Sequence, residues 1–163
     1  MKFFEILAKN KTLYVLGGIS LLLVVAIGYT KGEYDILDSK FFYLKSEIQP
    51  LLISLGEEGR ANYIRINYLD YMFMTTYTLF FFGMYFAFFK NLATTLILIP
   101  ALLLIADFIE TSSIHYLLRI FPEIHNGLEY TLMFLTPAKW MLALSTLLVI
   151  VNGYFVNLYI KKS

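Results

Sequence analysis

Four charged residues of this 163-residue chain, Asp70, Asp107, Glu110 and Lys139, stand inside or at the edges of long apolar runs. An ionised Asp near the middle of a membrane helix costs roughly 2.5–3.5 kcal/mol on insertion scales, so such groups turn inward and find partners. Asp107, Glu110 and Thr111 follow i, i+3, i+4, which puts both carboxyls on one side of a helix. Tyr63, Asp70 and Tyr77 are spaced seven apart on nearly one helical face, and Arg60 and Asn67 fall on it as well. Carboxyls held close together share protons unequally, which supplies an acid and a base at one pH. In that chemistry Asp107 is the acid and Asp70 or Glu110 the base. Lys139 or Arg60 binds an anionic head group or a developing negative charge. Tyr63, Asn67, Tyr77 and Thr111 complete the binding pocket. Three carboxylates also suit a hard divalent cation held through oxygen ligands. No Ser-x-x-Lys, His-Glu-x-x-His or Gly-x-Ser-x-Gly sequence is present, so hydrolysis by a familiar nucleophile is not indicated, and no cofactor signature is evident. His115 and His125 lack paired ligand spacing.

What positions these groups follows from composition. With 59% hydrophobic, 18% aromatic and 15% charged residues, the chain lies outside the range of a soluble domain. A helical span needs about 20 apolar residues, and four stretches qualify: 13–29, 68–89, 92–109 and 140–160. The first also carries the marks of a secretory signal, a basic amino end and the small residues Ala26 and Gly28. The runs lack the alternation of barrel strands. The expected fold is all-α: one domain, a polytopic four-transmembrane-helix bundle. There is no cysteine, which removes disulfides and thiolate ligation, and the net charge of +1 gives no reason to expect nucleic acid.

With the amino end inside, the inner side holds Lys2, Lys9, Lys11, Lys90, Lys161 and Lys162 against Glu5, and every other acid lies outside. These short lysine-only ends favour cytoplasmic termini. The segments 30–67 and 110–139 are then outer. In the first, Leu37, Phe41, Leu44 and Ile48 recur at steps of four, three and four, which predicts an amphipathic helix at the outer interface, ended near Pro50. The second is too apolar for a free loop and is expected to cap the bundle. Asp107, fifteen residues past Leu92, has climbed about 22 Å of a roughly 30 Å core. Asp70 and Lys139 stand near the outer ends of their own spans. Three helices thus bring Asp70, Asp107, Glu110 and Lys139 to one level, and an inward polar pocket opening outward is expected. The competing reading is that Lys139–Glu110 or Arg60–Asp70 pairs simply fasten helices.

"GRANY" (59–63), "LDYMFMTTY" (69–77), "ADFIET" (106–111) and "KW" (139–140) together resemble a group of small bacterial four-helix integral membrane proteins. That group carries Gly-Arg-x-x-Tyr, an Asp and a Tyr on the second span, Asp-x-x-Glu-Asn on the third and Lys-Trp on the fourth. The likeness runs over about 80 residues, with Thr111 where the group usually has Asn. It implies the bacterial cytoplasmic membrane and supports the pocket without naming its chemistry. A fainter likeness, through "RINYLD" (65–70), is to glutathione-handling four-helix membrane proteins, whose orientation is opposite to the one expected here. The leading expectation is an acid–base enzyme acting on a lipid or isoprenoid, or a protein that binds one, with membrane lipids as partners and a homo-oligomer allowed. A structural subunit ranks second. A proton or cation transporter ranks third, because the inner half of the third span is almost wholly apolar.

Overall fold

A computed structural model of the chain describes residues 2–89, 92–123 and 125–160. The described residues are helical or irregular, without a strand. In order they form α1 (Lys2–Leu7), α2 (Asn10–Lys31), a 3-10 turn (Leu37–Ser39), α3 (Lys45–Ser54), α4 (Gly56–Phe89), α5 (Ala93–Leu96), α6 (Leu98–Ile120) and α7 (Asn126–Ile160). Four helical stretches are long and apolar enough to cross a membrane: α2, α4, α5 with α6, and α7. The all-α expectation holds among the described residues, and so does the expected number of helices long and apolar enough to span a membrane. Lys90, Lys161 and Lys162, on which part of the sidedness reading rests, lie outside the described residues.

The helices outrun the apolar segments that announced them. At 34 and 35 residues, α4 and α7 are each about 50 Å long, against a bilayer core of roughly 30 Å. Their surplus projects at one end, where α6 also runs on to Ile120. Among the described residues no separate cap forms over 110–139: the polar stretch is the continuation of α6, a short turn, and the start of α7. The larger apolar core sits among these projecting ends. There Ile48, Leu51, Leu52 and Leu55, spaced as one helical face, pack with Ile66, Ile114, Leu117 and Leu132.

The segment between α2 and α3 departs from the expected amphipathic helix. Gly32, with φ 55°, ends α2 in the left-handed region that favours glycine. Leu37 lies in the 3-10 turn, and Phe41 and Leu44 are exposed in irregular chain before α3 begins at Lys45. The periodic spacing was shared by residues in different conformations. Pro50 does not stop the helix but falls inside α3, which ends at Ser54 before Gly56, φ 63°, redirects the chain into α4. Glu47 caps α3 by accepting from Leu44 N–H at 2.6 Å. Lys45 ties the start of α3 to α7 by donating to Asn126 Oδ1 at 2.7 Å.

α2 packs chiefly along α4, while α6 and α7 pack on each other and on α4. Only Leu23 of α2 is buried. α2 therefore stands against α4 at one side of the α4–α6–α7 group and leaves a cleft between itself and α7.

Candidate functional site

Helix offsets put the charged residues on one level. Asp70 stands fourteen residues from Gly56, Asp107 thirteen from Ile120, and Lys139 thirteen from Asn126, so each lies about 20 Å from the projecting end of its helix. The contacts agree. Lys139 Nζ is 3.2 Å from Asp107 Oδ1 and also pairs with Glu110 Oε2. The Tyr77 hydroxyl donates to Asp107 Oδ2 at 2.7 Å. The Thr111 hydroxyl donates to Asp70 Oδ2 at 2.6 Å. Asp107, Glu110, Thr111 and Lys139 are all buried, with Glu110 fully so.

A second line of groups leads into this cluster from the projecting end. Thr136 Oγ1 bonds Glu110 Oε1 and lies 2.9 Å from the Tyr43 hydroxyl. Since a hydroxyl owns one proton and an ionised carboxylate only accepts, Tyr43 donating to Thr136 and Thr136 to Glu110 accounts for both contacts. The network runs Tyr43, Thr136, Glu110, Lys139, Asp107, Tyr77 and spans three helices and the irregular segment before α3. Burial raises the Tyr43 phenol above its ordinary value, so it remains a proton donor.

Beside the network lies a cavity of about 540 Å³ between α2 and α7, backed by α4 and α6. Its polar lining is Asp38, Asp70, Tyr77, Asp107 and Lys139, with Lys31 and Ser39 also on the wall. Val24, Ile27, Phe73, Phe81, Leu103 and Ala143 make much of the rest apolar. Asp38 comes from the 3-10 turn, held there by Tyr63, whose hydroxyl donates to Asp38 Oδ1 at 3.0 Å and accepts from Leu37 N–H at 3.0 Å. Loss of water around Asp38 raises its carboxyl above the ordinary range, against the opposing pull of the Lys139 ammonium.

The structure thus brings Asp70, Asp107, Glu110, Thr111, Tyr77 and Lys139 together, and sorts them. Asp70, Asp107, Tyr77 and Lys139 face the cavity, whereas Glu110 and Thr111 are absent from its lining and act on it through Lys139 and Asp70. Tyr63 acts through Asp38. Arg60 does not line the cavity: its Nη1 donates to Leu52 O at 3.0 Å and its guanidinium covers the Phe121 ring at 4.1 Å. Asn67 is fully buried with neither side-chain polar atom partnered among the described residues, and it does not line the cavity either. Among the described residues no group of three or more acids or histidines is placed to hold a metal ion. The Lys139 ammonium occupies the position between Asp107 and Glu110 where a cation would be held.

Asp38, Tyr43 and Thr136 were not found by sequence reasoning. Thr136 is three residues before Lys139 and twenty-six after Glu110 in sequence, with nothing in its surroundings to mark it. Asp38 lies between the apolar positions of the periodic pattern, in residues that form a 3-10 turn rather than the expected helix. Comparison with known proteins finds no matching family model, no matching curated protein and no matching solved structure.

Proposed function

We propose that this membrane protein admits an amphiphile, a lipid or isoprenoid, sideways through the cleft between α2 and α7 and presents its polar end to Asp70, Asp107, Tyr77 and Lys139. One observation carries this reading: a single cavity of about 540 Å³ joins an apolar wall from α2 to the ends of a buried carboxylate–ammonium network. The size falls in the range of small-ligand sites. In a bilayer, an unpacked gap between two spans is open to acyl chains, and the charged groups would meet only the head.

As an enzyme, the site would exchange a proton through Asp70, with Asp107 held as a carboxylate by the Tyr77 hydroxyl and the Lys139 ammonium rather than serving as the acid expected from sequence. As a binding protein, the same groups would fix the head group. The projecting end is assigned to the outer face of a bacterial cytoplasmic membrane, with both termini inside, from the lysines at the amino end. The test is to purify the protein in a neutral detergent and identify by mass spectrometry what remains bound.

A second reading has its own support. Lys139 of α7 satisfies two carboxylates of α6, which is also what a helix fastener does. An empty cleft in protein extracted under mild conditions would favour that role.

A further inference from the structure

The charge in the cleft is unbalanced in a way that bears on its guest. Asp38, Asp70 and Asp107 all line it, and the deep cation, Lys139, is engaged by Asp107 and by Glu110 behind it. Asp38 and Asp70 have no ion-pair partner among the described residues. Each accepts a hydroxyl bond, from Tyr63 and Thr111 respectively, which supports a carboxylate without neutralising it. Lys31, the remaining cation on the lining, belongs to the last turn of α2. An anionic head entering here would meet two unpaired carboxyls and find the ammonium already bonded.

A separate feature of the same cavity points the same way. Phe73, Tyr77, Phe81 and Trp140 all contribute to its wall. Tyr77 packs against Phe73 at 5.0 Å and Phe81 at 5.5 Å between ring centroids, so these three form a continuous aromatic strip along α4. Aromatic faces attract cations through the ring quadrupole, most strongly where water is excluded. Carboxylates together with several rings in one concave site are the usual means of holding an ammonium group, whereas an anionic head would have to rely on Lys31, the lining cation that is not engaged by Asp107 and Glu110.

We propose that the guest of the cleft is a cationic amphiphile with an amine head, its ammonium lying between Asp38 and Asp70 against the aromatic wall and its chain running along α2. This rests on the reading of the cleft as an amphiphile site and adds the sign of the head group. It reverses the sequence-based expectation that Lys139 or Arg60 receives an anion. Lys139 serves instead to hold Asp107 and Glu110, and Arg60 stands elsewhere. A bound ammonium also supplies what burial denies Asp38, a counter-charge that favours its ionised form.

The test compares three probes of one chain length, dodecylamine, dodecanol and dodecanoate, titrated into the purified full-length protein in neutral detergent against protein-free micelles. Dodecylamine is expected to bind at least about tenfold tighter than the other two, the scale of one charge-assisted contact. Asp38→Asn and Asp70→Asn should each remove that preference, while Glu57→Gln, an exposed acid off the cavity, should keep it. The wild-type ranking needs no variant to fold. Dodecanol or dodecanoate binding as tightly as the amine would overturn the cationic head and leave the amphiphile site standing. Failure of all three to bind would overturn both.

Discussion

The Tyr77 hydroxyl and Asp107 Oδ2 are 2.7 Å apart, while the other oxygen of that carboxylate faces the Lys139 ammonium at 3.2 Å. α4, α6 and α7 therefore meet at one carboxyl group that is also part of a cavity wall. Structural and functional demands fall on the same residue, and substitutions can separate them.

Lys139→Met should be the costliest change in the cluster. It strands Asp107 and Glu110 together without a counter-charge, a loss of about 3–5 kcal/mol by the measure of broken buried pairs. Asp107→Asn leaves Lys139 with Glu110, but its amide can accept from only one of the two donors that now meet the carboxylate, so its cost should be about 1.5–3 kcal/mol. Detergent melting temperatures of the two variants check the order. Equal melting would show that Lys139 does not balance both carboxyls.

Asp38 gives a pH dependence whose sign is fixed. Burial raises its folded-state affinity for a proton above the ordinary value of 3.8. Between that value and its higher folded value the native state holds more protons than the unfolded chain, so stability falls as pH rises through the window. Asp38→Asn removes this contribution. The difference in melting temperature, variant minus wild type, should grow in the variant's favour as pH climbs from about 4 toward neutrality. A flat difference would mean that Asp38 is not desolvated.

Much of the bundle was legible because membrane spans announce themselves by apolar length, and the common level of Asp70, Asp107 and Lys139 followed from helix rise alone. Two things were not legible. The path of residues 32–44 is set by Gly32 and by Tyr63 capturing Asp38, contacts across more than twenty residues that leave no periodic trace. The helix surplus beyond the bilayer was hidden because the projecting turns of α4 and α7 carry charged residues on one face while burying Ile66 and Leu132 on another.

Gly83 should be intolerant of any side chain. A Cβ there would stand 2.5 Å from the Leu7 carbonyl oxygen and 2.8 Å from Leu13 Cδ2, where α1 and the start of α2 lie against α4. Gly83→Ala should cost about 1–3 kcal/mol and expose the amino end to added protease. Gly18→Ala, with nothing within 4 Å, should instead be neutral or stabilise α2 by up to about 1 kcal/mol. Similar behaviour of the two variants would mean that α1 does not pack on α4.

Sidedness is open to direct labelling. Cysteine at exposed Ser46 should react with an impermeant thiol reagent added to intact cells, and cysteine at exposed Lys11 should not. The reverse pattern would invert the assignment of the faces while leaving the clustering intact.

The central claim, that the cleft holds an amphiphile through its buried network, is met most directly by quantifying bound lipid in wild type and in Asp107→Asn purified side by side. Wild type should retain an amphiphile in a defined ratio, and Asp107→Asn should lose most of it while still folding and melting well above Lys139→Met. Wild type without any bound amphiphile, or equal retention by both proteins, would contradict the claim and leave Asp107 as a fastener of helices.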